Sequence, residues 1–236
     1  MPLRKVRLGL IVPSANTALE YELYRMTPSD VSLHFARVKL AEDTPEQILK
    51  SVEHIPRAVE ELVDARVDII AYGCTGGSFI KGVGYDEEII ELIKKVSGGC
   101  QATTTSTAVV RALKTLGAKK LVVGSPYEEW LNSRLKVFLE GHGFSVIRIK
   151  GLGITKNIAD IPDNAVYKLV REIYSPEADV IFLSCTDFMT AHLISMLEED
   201  FGMPVITSNQ ATLWDMLRQV GLKIRIRGYG VLLEKY

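Results

Sequence analysis

The chain has 236 residues, 47% apolar and 24% charged, with a formal net charge of −1 at neutral pH. That length buries a substantial core in one large domain or two small ones, and the balanced charge offers no basic footprint for nucleic acid or an anionic membrane surface. No apolar run reaches the roughly 20 residues that span a bilayer, and the N-terminus (Met1-Pro2-Leu3-Arg4-Lys5-Val6) lacks the apolar stretch and cleavage site of a signal peptide, so a cytoplasmic protein is expected.

Short β-rich runs alternate with amphipathic stretches along the whole chain, the pattern of βα units on a parallel sheet. Strands are predicted near 6–12, 32–38 and 67–72, with a shorter one near 99–103. Helices fill the gaps, roughly over 16–27, 45–64, 86–96 and 106–116. The scheme then repeats, with strands near 120–125, 144–150 and 179–184 and a short one near 204–207. Its helices fall near 127–141, 162–174, 188–200 and 210–220. Thr44-Pro45-Glu46-Gln47 places a capping hydroxyl before a first-turn proline. Gly117 and Gly221 stand where a left-handed residue ends a helix. The tail Ile224-Arg225-Ile226-Arg227-Gly228 reads as a short strand or extended edge.

The expected fold is therefore α/β, with two pseudo-symmetric lobes, each a mainly four-stranded parallel sheet flanked by helices. The last helix is expected to return to the first lobe. Lobe 1 then comprises residues 1–106 and 210–236, and lobe 2 residues 107–209.

The repeat extends to chemistry-bearing residues. Val67-Asp68-Ile69-Ile70-Ala71-Tyr72-Gly73-Cys74-Thr75 is answered by Ala178-Asp179-Val180-Ile181-Phe182-Leu183-Ser184-Cys185-Thr186, and the cysteines are 185 − 74 = 111 positions apart. Leu8-Gly9-Leu10-Ile11-Val12-Pro13-Ser14-Ala15-Asn16 answers to Leu121-Val122-Val123-Gly124-Ser125-Pro126-Tyr127, with Asn16 and Tyr127 again 111 apart. Two similar halves, each offering a thiol at a strand end, place a site between them with one cysteine on either side of a small substrate. Three cysteines without a short spacing fit reduced thiols. The four histidines (His34, His54, His142, His192) are scattered, so no metal site is expected.

Ligands of open parallel sheets bind beyond the carboxyl ends of the strands. Four polar motifs fall there: Pro13-Ser14-Ala15-Asn16-Thr17, Cys74-Thr75-Gly76-Gly77-Ser78, Ser125-Pro126-Tyr127 and Cys185-Thr186-Asp187. Each precedes a helix, whose free N–H groups and dipole favour an anion. None contains Lys or Arg, so a bound carboxylate would rest on amides and neutral donors. The same setting is expected to lower a cysteine pKa. Blander roles exist for each residue. A strand-end cysteine is often a small buried hydrophobe, and Cys100, without a counterpart in the second half, is read as structural. Asn16 may serve as a helix cap, Tyr127 as an aromatic pin between lobes, and Asn157 as an ordinary loop residue.

At these residues the sequence resembles the aspartate/glutamate racemase superfamily, whose members build two similar lobes around paired cysteines. The opening Val12-Pro13-Ser14-Ala15-Asn16-Thr17, followed by Glu20 and Glu22, resembles the maleate cis-trans isomerase and arylmalonate decarboxylase branch, over about residues 6–220. The resemblance implies Cys74 as nucleophile and Cys185 as proton donor of a maleate isomerase. It further implies Asn16, Thr75, Gly76, Tyr127, Asn157 and Thr186 as ligands of a small dicarboxylate, no cofactor, and a homodimer or higher assembly. Three alternatives stay open. Amino-acid or hydantoin racemases use both thiols on opposite faces of a substrate, and arylmalonate decarboxylases keep only the second cysteine, with glycine at the first position. A binding protein would need neither thiol. Gly76 departs from the isomerase pattern, in which serine is common. The loop Phe79-Ile80-Lys81-Gly82-Val83-Gly84-Tyr85, with two glycines as hinges, is a candidate lid.

Overall fold

The computed structural model describes residues 6–236, so the leader reading of the first five residues lies outside it. Strand β1 (Val6–Pro13) is buried on both faces from Leu8 onward, as a central parallel strand must be. After helix α1 (Ala18–Met26) the chain returns in β2 (Val31–Val38), whose half-exposed residues mark it as an edge. Two helices, α2 (Pro45–Val52) and α3 (Ile55–Asp64), lead to the buried strand β3 (Ile69–Tyr72). A short helix α4 (Thr75–Phe79) and the longer α5 (Tyr85–Val96) then precede β4 (Gln101–Thr104). These strands form one parallel sheet in the order β2-β1-β3-β4.

Helix α6 (Thr105–Thr115) carries the chain into the second half. There β5 (Lys120–Ser125), α7 (Glu129–Gly141), β6 (Ser145–Gly151), α8 (Asp163–Ile173) and β7 (Val180–Leu183) follow. Helix α9 (Ile194–Phe201), β8 (Val205–Thr207), α10 (Ser208–Gln219) and α11 (Gly230–Lys235) complete the chain. The second sheet, β6-β5-β7-β8, is also parallel and repeats the strand order of the first. The α/β fold expected from the repeat is thus present, with two four-stranded sheets flanked by helices.

Helices α6 and α10 leave equivalent strands and are capped alike. Thr104 Oγ1 accepts from Thr107 N at 3.1 Å, and Thr207 Oγ1 from Gln210 N at 3.3 Å. They pack along each other, with α10 also against β3 and β4 and α6 against β8. Their shared face is small and polar: Thr212 Oγ1 donates to Thr105 Oγ1 at 3.0 Å, and Thr103 Oγ1 to Asp215 at 2.6 Å. Buried hydroxyls satisfied in this way fix the seam between the halves more specifically than apolar contact alone.

Four local expectations are corrected. The helix expected over 45–64 is two helices, because the Pro56 ring would strike the carbonyl of Val52 in a continuous helix. The helix α4 directly after Cys74 was not expected, since Gly76 and Gly77 disfavour helix. The helix expected over 188–200 begins only at Ile194, after a 3₁₀ turn at Ala191–Leu193. Glu22 accounts for the delay: its carboxylate accepts from Thr190 N at 2.6 Å and Ala191 N at 2.7 Å, holding that segment across the cleft. The tail forms no strand. Gly228 and Gly230 take positive φ (85° and 78°), which turns the chain into α11. No helix among the described residues is long and apolar enough to cross a membrane.

Candidate active site

Cys74 and Cys185 each lie two residues beyond an interior strand, β3 and β7, of their respective sheets. Both line one cavity of ≈ 40 Å³ between the sheets, joined by Asn16, Thr75, Gly76, Tyr127, Asn157 and Thr186. All eight residues singled out from the sequence are thereby brought together. The lining of the cavity comes from both halves of the chain.

The two thiols are free and differ in their backbones. Cys74 is extended (φ −141°) and caps α4, its Sγ accepting from Gly77 N at 3.3 Å. Cys185 takes a φ of +123°, which L-residues rarely adopt. Three hydrogen bonds hold it there: its own N–H donates to Ser208 Oγ at 3.0 Å, its Sγ accepts from Asp187 N at 3.4 Å, and its carbonyl accepts from Phe188 N at 3.4 Å. Both side chains are nearly buried, 6% and 7% exposed, and open only to the cavity.

The expectation of lowered thiol pKa values is overturned. Burial, reinforced by the nearby Asp43 carboxylate, pushes the Cys74 thiol up to about 12, against the smaller opposing effect of the Gly77 N–H. Burial raises Cys185 well above the usual thiol range, with Asp43 and Asp187 adding to it. A helix N-terminus favours a thiolate, but one N–H bond does not offset a dry site that also contains a carboxylate.

The polar residues mainly join the halves. Asn16 does cap α1, its Oδ1 accepting from Ala18 N and Leu19 N at 3.1 and 2.9 Å, while its Nδ2 donates to Thr186 Oγ1 at 3.0 Å. One Nδ2 hydrogen remains for a ligand. Thr186 passes its own proton to Gly73 O at 3.0 Å, so its hydroxyl is positioned rather than free. Thr75 Oγ1 donates to Ser208 Oγ at 2.9 Å, the same oxygen that receives Cys185 N–H. Ser208 is thus a junction between the two cysteine segments that sequence reasoning did not assign. The matching Thr104-Thr105 and Thr207-Ser208 pairs at the starts of α6 and α10 were its available signal. The Tyr127 hydroxyl receives only a long contact of 3.5 Å from Ser184 Oγ, and burial pushes its pKa well up, so it stays a proton donor. Asn157, at φ +52° in the loop after β6, makes no side-chain hydrogen bond among the described residues.

Two loops cover the cavity, residues 40–43 after β2 and 155–158 after β6. Asp43 N donates to Thr155 O at 3.2 Å, Thr155 Oγ1 to Glu42 at 3.1 Å, and Lys156 pairs with Glu42 at 2.9 Å. The segment 79–85 does not line the cavity and is not the cover; Arg134 pins it by donating to Ile80 O at 2.6 Å. Asp43 and Asp187 are the remaining acidic lining residues. Asp187 accepts from Thr17 N and Ala18 N at 2.8 and 3.2 Å, but these bonds offset only part of the burial that raises its carboxyl above the usual range. Burial and Asp187 raise the Asp43 carboxyl to about 7. Nothing in Ala41-Glu42-Asp43-Thr44 distinguishes it in the sequence from an ordinary helix entry.

The arylmalonate decarboxylase family model matches residues 8–233. Among curated relatives, the maleate isomerase of Geobacillus stearothermophilus is 28% identical, covering 97% of each chain. Among solved structures, the maleate isomerase Iso of Pseudomonas putida S16 superposes with a TM-score of 0.94 at 27% identity over 98% of each chain. A cysteine-to-serine mutant of the Nocardia farcinica maleate cis-trans isomerase, carrying a covalently bound succinylcysteine intermediate, gives 0.94 at 26% identity over 98% of this chain and 99% of that one.

Proposed function

The chain belongs to the arylmalonate decarboxylase family, and on that premise we propose that it is a cofactor-independent isomerase converting maleate, or a close small analogue, to the trans alkene. The observation that carries this reading is the cavity with one thiol from each half. Cys74 stands where the decarboxylases that resemble this chain have glycine, which favours isomerisation over decarboxylation.

In this mechanism Cys74, as thiolate, forms a bond to one alkene carbon. The π pair moves to the neighbouring carbon and spreads into its carboxyl group, where neutral donors stabilise the charge. Asn16, Tyr127 and Asn157 have donors available for this. Cys185 S–H delivers its proton to that carbon, leaving a succinyl adduct on Cys74 and a thiolate at Cys185. The former double bond is now single and rotates by about half a turn. Cys185 takes the proton back, the S–C bond breaks, and the trans product leaves with the Cys74 thiolate and the Cys185 thiol restored. The succinylcysteine captured in the Nocardia relative supports this order.

Proton NMR with maleate in deuterated buffer tests the reading, with Cys74→Ala and Cys185→Ala beside the wild type. Fumarate from wild type and none from Cys74→Ala is the expected result. Folded wild type that makes no trans alkene from maleate or its monoamide would sink the assignment.

A further inference from the structure

Asp43 differs from every other charged group at the cavity. Glu42 is neutralised by Lys156, and Asp187 is held by two N–H groups of α1. The Asp43 carboxylate lines the same cavity and takes neither an ion pair nor a hydrogen bond from the described residues. Its backbone is fixed, because Asp43 N donates to Thr155 O and Thr44 begins α2 as its cap. Among the described residues the only cation lining the cavity, Lys156, is engaged by Glu42. A bound dianion would therefore meet an unpaired carboxylate with no opposing positive charge. A half-buried carboxylate in the cavity wall, without a partner among the described residues, is satisfied by a donor on the ligand.

We propose that Asp43 determines substrate specificity: its carboxylate accepts a hydrogen bond from an N–H group at one end of the ligand, so that the cavity selects the monoamide of a cis-alkene dicarboxylate over the dicarboxylate. This rests on the isomerase reading and names its substrate class. The ligand's remaining carboxylate lies toward the neutral donors of Asn16, Tyr127 and Asn157, and its amide toward Asp43. Sites that hydrogen-bond a substrate N–H discriminate strongly against analogues without it, because the site's own polar group is then left unpaired.

The raised Asp43 carboxyl adds a pH signature. The groups facing it are Asp187, Cys74, Cys185 and Tyr127, with the Glu42–Lys156 pair beside it. Below about 7 Asp43 is largely protonated and tolerates a dianion; above that value it is charged and repels one. Affinity for a dianion falls as pH rises through this range, while affinity for a monoamide does not.

The test measures dissociation constants for succinate and succinamate, saturated analogues that are not turned over, alongside kcat/KM for maleate and maleamate. Wild type, Asp43→Asn and Asp43→Glu are compared, with far-UV circular dichroism verifying the fold. Wild type is expected to favour the monoamide in both measurements. Asp43→Asn should reduce the monoamide-to-dicarboxylate ratio by about tenfold or more and abolish the pH dependence of succinate binding, whereas Asp43→Glu should retain the preference. Ratios within about twofold of wild type in folded Asp43→Asn, or a wild-type preference for the dicarboxylate at about pH 8, would overturn the proposal. Turnover of both alkenes with unshifted ratios refutes Asp43 alone. Absence of turnover with shifted binding ratios refutes the isomerase reading and retains the recognition.

Discussion

Replacing Cys185 separates backbone strain from side-chain chemistry. Its φ of +123° is disfavoured for any residue with a Cβ, at a cost of about 1–3 kcal/mol. Alanine and glycine at this position both lose the Sγ that accepts from Asp187 N, and both keep the backbone N–H bond to Ser208 Oγ. They differ in whether the Cβ strain persists and in the chain entropy of the unfolded state. At an unstrained position, alanine to glycine costs roughly 0.5–1 kcal/mol in chain entropy. Here relief of strain exceeds that cost, so Cys185→Gly should be more stable than Cys185→Ala by about 1 kcal/mol, or roughly 2–4 °C in Tm for a domain of this size. Urea titrations with matched slopes measure the difference. A glycine variant less stable than the alanine variant would show that Cys185 carries no strain. Both variants should lack isomerase activity, so the stability difference between them reports backbone strain independently of the chemistry.

Gly77→Ala should cost about 1–3 kcal/mol, because its Cβ would stand 2.3 Å from the hydroxyl of fully buried Tyr72, itself 3.1 Å from Ser51 Oγ; chemical denaturation checks this, and an unchanged midpoint would refute it. Gly76→Ala is the control, since the nearest atom to its Cβ, on Leu131, lies 3.5 Å away, an ordinary contact, and the variant should stay within about 0.5 kcal/mol of wild type. With its thiol pushed up to about 12, Cys74 in the free protein should react with iodoacetamide at a rate that climbs about tenfold per pH unit from neutral upward; a plateau near neutrality would contradict the raised value. Asp43 holds its proton up to about 7, against 3.8 for an ordinary carboxyl, so the native state binds more protons than the unfolded chain between those values and wild-type stability falls as pH rises through them. Asp43→Asn lacks that loss, so its stability relative to wild type should grow between about pH 5 and pH 8, and a pH-independent difference in urea midpoint would refute the shift.

The fold was legible because its signals are local and repeated. Buried parallel strands such as Ile69–Tyr72 and Val180–Leu183 read as short apolar runs, and the helix entry at Thr44 announces itself by residue type. The cysteine pair was legible for the same reason, since 111 positions separate two near-identical strand ends. Other features depend on contacts that no local pattern encodes. The late start of α9 is imposed by Glu22, 168 residues from Thr190. Ser208 acquires its role only where both halves meet, and Asp43 acquires its raised carboxyl only when the loops after β2 and β6 close together.

The error over the thiols follows from the same division. A helix N-terminus is visible in sequence, and alone it argues for a stabilised thiolate. Desolvation and the approach of Asp43 arise from tertiary structure, and they act on both cysteines in the opposite direction. The resting site therefore holds two protonated thiols, whereas the proposed attack needs one thiolate and one thiol. Before attack the Cys74 proton must pass to solvent, against the raised value of that thiol. Burial is the larger cause of that hold on the proton and the Asp43 carboxylate the smaller one.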